Sequence, residues 1–379
     1  MVPRPLSSVA VLLIAVAAAS TGGADGCPAS DRAALLAFRS ALSEPYLGIF
    51  SSWKEELLLP VVRRELRSTT GRVADITLRG ESEDPILARA GHSGGLMSGR
   101  ISPEICRLDR LTTLILADWK QISGPIPPCI TSLPLLRILD LVGNSLSGSL
   151  PADIGRLSRL TVLNVADNQI SGPIPSSLAA LSSLMHLELG NNQISGTIPT
   201  DFGNLRKLSR ALLGRNRISG VIPASVGHMT RLADLDLSEN RISGEIPASL
   251  GFMPVLSSLY LDSNRLTGHI PAALLASRGL SILNLSRNAI EGEIPDVVGY
   301  RSYYTVAGSV EQPAERQRAE NAGDRGVRGA LGPQPQPPLR GHPRRLPVRP
   351  PRGRLLRQQR LPLRRASAGL PVSPAWRSG

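Results

Sequence analysis

Seven asparagines recur at an unbroken interval of 24 residues: Asn144, Asn168, Asn192, Asn216, Asn240, Asn264 and Asn288. Each ends the same phrase, in which apolar residues, mostly leucine, precede the asparagine at fixed offsets. A glycine and a proline follow it; one copy contains Leu136, Leu139, Leu141, Gly148 and Pro151. A fixed period of this length indicates a stack of equivalent units, each of which buries its apolar face only against its neighbours.

The phrase also predicts what each unit folds into. Two apolar residues, two positions apart, predict a short strand with one buried face. The spacing as a whole is the leucine-rich-repeat signature. We therefore expect an α/β solenoid of about nine coils between residues 70 and 306, one coil per repeat, with a parallel sheet on its concave side. The amides of the seven asparagines are expected to form a ladder that pairs backbone groups left open by the turns.

One coil departs from the phrase and the two ends of the chain differ from its middle. The coil that contains Leu111 and Pro127 has one extra residue, and Lys120 stands at its asparagine position. Residues 1–25, with a short apolar run after Arg4, predict a cleaved secretory signal peptide. Residues 26–69 are expected to form an N-terminal cap with a helix that Ser30 or Asp31 caps, and residues 54–68 are atypical for it.

The C-terminal tail, residues 307–379, has a different composition. It holds 15 arginines, four acidic residues and 12 prolines, so it carries most of the chain's net charge of +13. This composition predicts disorder, and nucleic-acid binding is the alternative that clustered arginine raises. Without a cap on the last coil we expect an open apolar edge that drives self-association, formed by Leu283, Leu285, Ile290 and Ile294.

Several stretches resemble the plant DNA-damage-repair/toleration leucine-rich-repeat proteins, which are similar to polygalacturonase inhibitors and to receptor-kinase ectodomains. The stretches that carry the resemblance are Ser30–Phe38, Thr70–Ile76, Ile101–Cys106, Leu116–Lys120 and Leu283–Gly292. The resemblance implies a secreted protein of the cell wall or apoplast, with roles in plant defence or in DNA-damage tolerance.

Two stretches depart from that family, which carries cysteines after the tryptophan matching Trp53 and two more repeats with a cysteine-bearing cap at the C-terminal end. Residues 54–68 and 307–379 are either genuine or the product of a shifted reading frame. The chain has three lysines against 40 arginines, which indicates a GC-rich gene. Such a gene encodes mostly arginine, proline, glycine and alanine when it is read in the wrong frame. Of the three cysteines, Cys27 lacks its family partner. Cys106 and Cys129 lie on adjacent coils and could bridge, but their positions relative to the repeat prolines argue against a disulfide.

The residues that flank the buried leucines of each strand are expected to face the concave side. They are largely polar and acidic, which suits a basic or hydroxylated protein or peptide partner, although a merely solvated face is the alternative. The candidate partner-binding residues are Asp140, Asn164, His186, Glu188, Arg210, Asp234, Asp236, Tyr260 and Asp262. Asn284, in an Asn-Leu-Ser sequence, is a candidate N-glycosylation site, with steric hindrance on the strand as the argument against modification.

No residue pattern supports catalysis, a cofactor or a metal: the five histidines are scattered, and the glycines follow the repeat. We therefore expect a secreted, non-enzymatic binding module without a membrane span, a small-molecule substrate or a nucleic-acid partner. Its partner is expected to be a protein or peptide, such as a cell-wall enzyme or a receptor. The alternatives are a stress-linked protein in DNA-damage tolerance and an enzyme inhibitor similar to polygalacturonase inhibitors. Neither the ligand nor the oligomeric state follows from the sequence.

Overall fold

The computed structural model describes residues 28–44, 50, 71–80 and 97–292, together with the backbone of Val16–Ala17. All of them lie in Met1–Gly326, the first of two units in the chain. The rest of the predicted signal peptide, residues 54–68, Cys27 and the tail lie outside the described residues. In the described part of the chain, no helix has both the length and the apolar character needed to cross a membrane.

A parallel sheet runs through the repeats, one strand per coil, and confirms the predicted α/β solenoid. We call it the long sheet; among the described residues it has nine strands, and each strand pairs with that of the next coil. Its strands are β4 (Asp75–Arg79), β6 (Thr113–Ala117), β8 (Ile138–Asp140), β10 (Val162–Asn164), β12 (His186–Glu188), β14 (Arg210–Leu212), β16 (Asp234–Asp236), β18 (Ser258–Tyr260) and β20 (Ile282–Asn284).

The register of the long sheet follows from the 24-residue period. Leu139 pairs with Leu163, and Leu163 with Leu187, so that equivalent residues stand side by side from coil to coil. Each of these leucines is fully buried. Because successive side chains of a strand point to opposite sides, the residues before and after each leucine face away from the core.

A second set of short strands lies outside the long sheet; six of them follow asparagines of the ladder, and five lie before Asn144. One group has four strands, β2 (Leu42–Ser43), β5 (Met97–Arg100), β7 (Lys120–Pro125) and β9 (Ser145–Ser147), and two smaller groups continue along the repeats. The dipeptide β1 pairs antiparallel with β3. These strands are β1 (Val16–Ala17), β2 (Leu42–Ser43), β3 (Arg72–Val73), β5 (Met97–Arg100), β7 (Lys120–Pro125), β9 (Ser145–Ser147), β11 (Ser171–Pro173), β13 (Gln193–Ser195), β15 (Ser219–Gly220), β17 (Arg241–Gly244) and β19 (Arg265–Leu266).

Short 3₁₀ segments after the repeat prolines form the convex side of the core. The apolar residue three positions after each proline is buried there, as predicted, for example Ile154, Phe202 and Leu250. The segments are Pro103–Arg107, Pro128–Ser132, Ile154–Arg156, Ser176–Ala180, Phe202–Asn204, Ala224–His228 and Ala248–Phe252, and in the next coil the α-helix α2 (Ala272–Leu275) takes their place.

The N-terminal helix α1 (Ala29–Ser40) covers the first coil with Leu35 and Phe38, both fully buried. The prediction that Ser30 or Asp31 caps this helix is wrong: the helix begins at Ala29 and no side chain caps it. The reason is that Asp31 has another partner. Its buried carboxylate accepts hydrogen bonds from Arg72 Nε at 2.9 and 3.0 Å and from the backbone N–H of Val73 at 2.9 Å.

The coil with the extra residue places a tryptophan where other coils have the asparagine. Trp119 is fully buried and its Nε1 donates to the carbonyl of Leu78 at 3.0 Å. Lys120, which the sequence places at the asparagine position, is exposed and has a positive φ of 59°. The ladder therefore starts one coil later, at Asn144.

Cys106 and Cys129 form a disulfide with a Cα–Cα distance of 5.9 Å, so the argument against this bridge is wrong. The two cysteines lie at different distances along the chain from their repeat prolines, but the two 3₁₀ segments do not start at equivalent places. The first begins at its repeat proline, Pro103, whereas the second begins one residue after Pro127. Cysteines at unequal counts consequently come within bonding distance on adjacent coils.

The open apolar edge predicted for the last coil is not present at the residues named for it. Leu283 is fully buried, and Leu285 and Ile290 are 6% and 7% exposed. Ile294 lies outside the described residues. These three side chains therefore provide no exposed apolar edge for self-association.

Candidate functional site: the concave face

The outer side of the long sheet, which we call the concave face, holds the candidate binding residues in continuous columns. In the central column each residue pairs in register with the next: Asp140, Asn164, Glu188, Leu212, Asp236, Tyr260 and Asn284. Asp140 is buried and the other six are half-buried. In the neighbouring column, His186 pairs with Arg210, and Arg210 with Asp234.

Part of the central column has a structural role that the sequence did not indicate. The Oδ1 of Asp236 accepts from the backbone N–H of Ser238 at 2.8 Å and from its hydroxyl at 2.6 Å. The Oδ1 of Asn164 accepts from the N–H of Ala166 at 3.1 Å. Asp140 and Asn284 make the same bond to the residue two positions on. Aspartate and asparagine are thus partly selected here as turn residues, and their recurrence with this spacing was the signal that could have revealed it.

An arginine lies between two carboxylates in the middle of the concave face. Arg210 Nη1 is 3.7 Å from Glu188 Oε1, and Arg210 Nε is 3.5 Å from Asp234 Oδ2. These distances are long for ion pairs and the side chains are partly exposed, so the pairs contribute little to stability. The three charged groups can therefore exchange their present partners for groups of a ligand.

Carboxylates are concentrated towards the C-terminal end of the concave face. Burial raises the pKa of Asp262, against the effect of a backbone hydrogen bond, and the neighbouring carboxylates Asp236 and Glu239 raise it further. Gly214 makes room for this group, because a Cβ there would lie 2.8 Å from Asp236 Oδ2. The C-terminal half of the concave face thus presents acidic groups that repel one another, an arrangement that a cationic partner would relieve.

The raised pKa of Asp262 gives a pH-dependent prediction. A carboxyl whose pKa is higher in the folded state than its ordinary 3.8 disfavours folding once it ionises. Its unfavourable effect is absent below pH 3.8, grows as the pH rises from there towards the folded-state pKa, and is complete above that pKa. Thermal unfolding should therefore show Asp262→Asn more stable than the wild type at neutral pH, and the difference should vanish in acid. Asp153→Asn, at an exposed convex position, is the control; a less stable Asp262→Asn protein at neutral pH would contradict the argument.

The asparagine ladder holds the turns that follow the strands of the long sheet. In each regular coil the Nδ2 donates to three carbonyls and the Oδ1 accepts one backbone N–H from the preceding coil; for Asn216 the donor is Ile194, at 2.9 Å. Asn144 is the exception among the seven, because its buried Oδ1 has no hydrogen-bond partner in the described part of the structure. The extra residue of the preceding coil explains this, since it changes the path of the chain before Ile122.

Asn284, the candidate glycosylation site, is half-buried at the end of the long sheet. Its Oδ1 accepts from the hydroxyl of Ser286 at 2.9 Å and from the N–H of the same residue at 3.2 Å. A glycan would be attached to Nδ2 and would leave both bonds in place. The described residues contain no cluster of His, Cys, Asp or Glu that could hold a metal ion.

Family models match the repeats and the N-terminal cap. A model described as leucine rich repeat matches residues 158–218 and 206–266, and another matches residues 135–157 and 279–300. The model of the leucine rich repeat N-terminal domain matches residues 28–56.

Relatives and solved structures agree with these matches. The DNA damage-repair/toleration protein DRT100 of Arabidopsis thaliana is 55% identical over 122 residues, which are 32% of this chain and 32% of that protein. The crystal structure of a plant ice-binding protein has a TM-score of 0.62 and 26% identity, over 75% of this chain and 86% of that chain. The Arabidopsis receptor kinase HAESA, in complex with the peptide hormone IDA and the co-receptor SERK1, has a TM-score of 0.58 and 25% identity, over 75% of this chain and 50% of that chain.

The matched segment spans about a third of the length of the curated relative. The fold, the family models and the similar structures all indicate leucine-rich repeats. The chain carries a leucine-rich-repeat solenoid with a leucine-rich-repeat N-terminal domain, and it resembles the plant DNA-damage-repair/toleration leucine-rich-repeat proteins.

Proposed function

We propose that the protein is a secreted, non-enzymatic binding module whose concave face binds a basic peptide or a basic surface of another protein. The observation that carries the proposal is the in-register stripe of mostly polar, half-buried residues, which Leu212 interrupts and of which Glu188, Asp234, Asp236 and Asp262 are acidic members. A parallel sheet of this length offers an extended partner many contacts, and its negative potential favours a cationic one. HAESA, a protein of similar fold, is in complex with a peptide hormone.

Secretion is supported by the disulfide between Cys106 and Cys129, because disulfides persist mainly in oxidising compartments. A reporter fused after residue 26 is therefore expected to leave the cell. Retention of the reporter would instead favour the alternative reading, an intracellular stress-linked protein in DNA-damage tolerance. The enzyme-inhibitor alternative predicts that the repeats bind and inhibit an endopolygalacturonase.

The concave face is tested by charge reversal. Peptides selected from a random displayed library on the full-length protein are expected to be rich in lysine and arginine. The double variant Asp234→Lys, Asp262→Lys should bind them at least about tenfold more weakly, because attraction becomes repulsion at two neighbouring strands. Asp153→Lys, Asp201→Lys, at exposed positions on the convex side, changes the net charge equally and should leave binding unchanged.

Two results would contradict the proposal. Equal losses in both double variants would mean that the net charge of the protein, and not the concave face, determines binding. Selected peptides without basic residues would mean that the acidic stripe is only solvated. Thermal unfolding of both variants excludes the trivial explanation that the concave variant has lost its fold.

A further inference from the structure

Three exposed arginines stand in line on the flank of the solenoid, away from the concave face. Arg217, Arg241 and Arg265 each follow directly after an asparagine of the ladder, and we call them the arginine row. The corresponding residues of the preceding coils are Ser145, Gln169 and Gln193, which are uncharged. The row is therefore a local feature of three coils and not a requirement of the repeat.

The position of the row is fixed by the hydrogen bonds around it. Asn216 and Asn240 make the same set of bonds to their own and the preceding coil, so the residues after them occupy equivalent places. The next residue in each coil, such as Ile218, is fully buried, so the arginine before it points outward. Arg241 pairs in register with Ser219, and Arg265 with Ser243, so each arginine is offset by two residues along the strand from the arginine of the preceding coil.

The charges of the row have no counter-charge among the described residues. The ion pairs recorded on this flank join Arg215 to Glu239 at 3.0 Å and involve no member of the row. A serine stands directly opposite Arg241 and Arg265, but three positive charges on successive coils still repel one another. A row that costs stability and lacks a partner within the described structure is suited to a ligand that supplies the missing negative charges.

We propose that the arginine row binds a linear acidic polysaccharide, one that carries a carboxylate or sulfate group on each sugar unit. A straight series of cations at regular spacing fits a chain of regularly spaced anions, whereas a single small anion would reach only one or two of them. Arginine suits this task because its planar guanidinium forms paired hydrogen bonds to carboxylate and sulfate-like oxygens. Ser219 and Ser243, half-buried beside the row, add hydroxyl groups to the same strip.

A nucleic acid fits the row less well. Single-stranded nucleic acids are held largely by stacking on aromatic side chains, and the described residues of this flank include none. The disulfide between Cys106 and Cys129 also indicates a compartment in which cell-surface polysaccharides are the abundant polyanions.

The test compares two triple variants of the full chain, so that the arginines of the tail are present in both. Arg217→Gln, Arg241→Gln, Arg265→Gln is expected to bind short alginate oligomers about tenfold more weakly than the wild type. Arg159→Gln, Arg206→Gln, Arg231→Gln removes the same charge from exposed positions elsewhere and should bind as the wild type does. Dextran sulfate in place of alginate distinguishes sulfate from carboxylate recognition, and uncharged dextran should not bind.

Equal binding by the two triple variants would overturn the proposal. Tighter binding of single-stranded DNA than of alginate, lost to the same extent in the row variant, would assign the row to nucleic acid and would overturn it as well. The row variant should unfold at a temperature no lower than the wild type, because it removes repulsion. The concave face is untouched by these substitutions, so this result is independent of peptide binding there.

Discussion

Replacing Asp31 by alanine is expected to lower the free energy of unfolding by about 3 kcal/mol. The carboxylate is 1% exposed and lies 2.8 Å from Arg72 Nη2. It also accepts the backbone N–H of Val73 at 2.9 Å, so alanine leaves a buried donor and a partly buried guanidinium without this partner. The hydrogen bond from Arg72 to Asp31 is the main reason that the pKa of Arg72 is raised.

In the Asp31→Ala variant, the lower stability should appear as detachment of the N-terminal helix before the rest of the protein unfolds. Asp31 is the residue that ties α1 to the first coil, and Leu35 and Phe38 become exposed when the helix leaves. Urea unfolding gives the change in free energy, and limited proteolysis should cut first between residues 28 and 44. Asp109→Ala is the control, because Asp109 also pairs with Arg72 but is half-exposed, and its loss should cost well under the Asp31 effect. Equal effects of the two variants would contradict this account.

Replacing Asn216 by leucine is expected to cost about 3 kcal/mol as well, for a different reason. Its Nδ2 donates to the carbonyls of Leu189, Leu213 and Gly214 at 3.0 to 3.2 Å, and its Oδ1 accepts the N–H of Ile194. Leucine has a similar size but leaves these buried groups of two coils unpaired. The damage is therefore to the contact between coils and should lower the cooperativity of unfolding.

The ladder contains its own control for this prediction. Asn144→Leu should cost less than Asn216→Leu, because the Oδ1 of Asn144 accepts no hydrogen bond and no backbone N–H is orphaned when it is lost. Asn204→Leu, at an exposed position of a 3₁₀ segment, should have almost no effect. Urea unfolding of the three variants measures this order. An Asn144 variant as damaged as the Asn216 variant would show that the donor bonds alone account for the ladder.

The repeated part of the fold could be read from the sequence because the same physical problem is solved in every coil. Period, buried leucines and turn glycines agree with one another, so an error in one coil is corrected by the others. The concave columns follow from the same alternation. Their chemistry does not: an aspartate such as Asp236 has the same sequence pattern whether it binds a partner or holds a turn. Only the hydrogen bond to Ser238 separates these roles.

The features that could not be predicted are those that occur once. Trp119 replaces an asparagine in a single coil, and nothing in the period indicates that its indole fills the buried position. The disulfide depends on a one-residue difference in where two 3₁₀ segments start. Counting residues from the repeat prolines does not reveal this difference. Asp31 looked like a helix cap because aspartate near a helix start usually is one. Its real partner, Arg72, lies 41 residues away in the chain.

The central claim is that the concave face is the binding surface, and site-specific photo-crosslinking in extracellular fluid tests it most directly. A photoreactive phenylalanine analogue placed at Tyr260 lies on the concave face, and one placed at Phe252, which is 76% exposed, lies on the convex side. The account predicts that Tyr260 captures a defined partner and that Asp234→Lys in the same chain abolishes the capture. The same partner captured from Phe252 and not from Tyr260 would show that binding takes place on the other side of the solenoid.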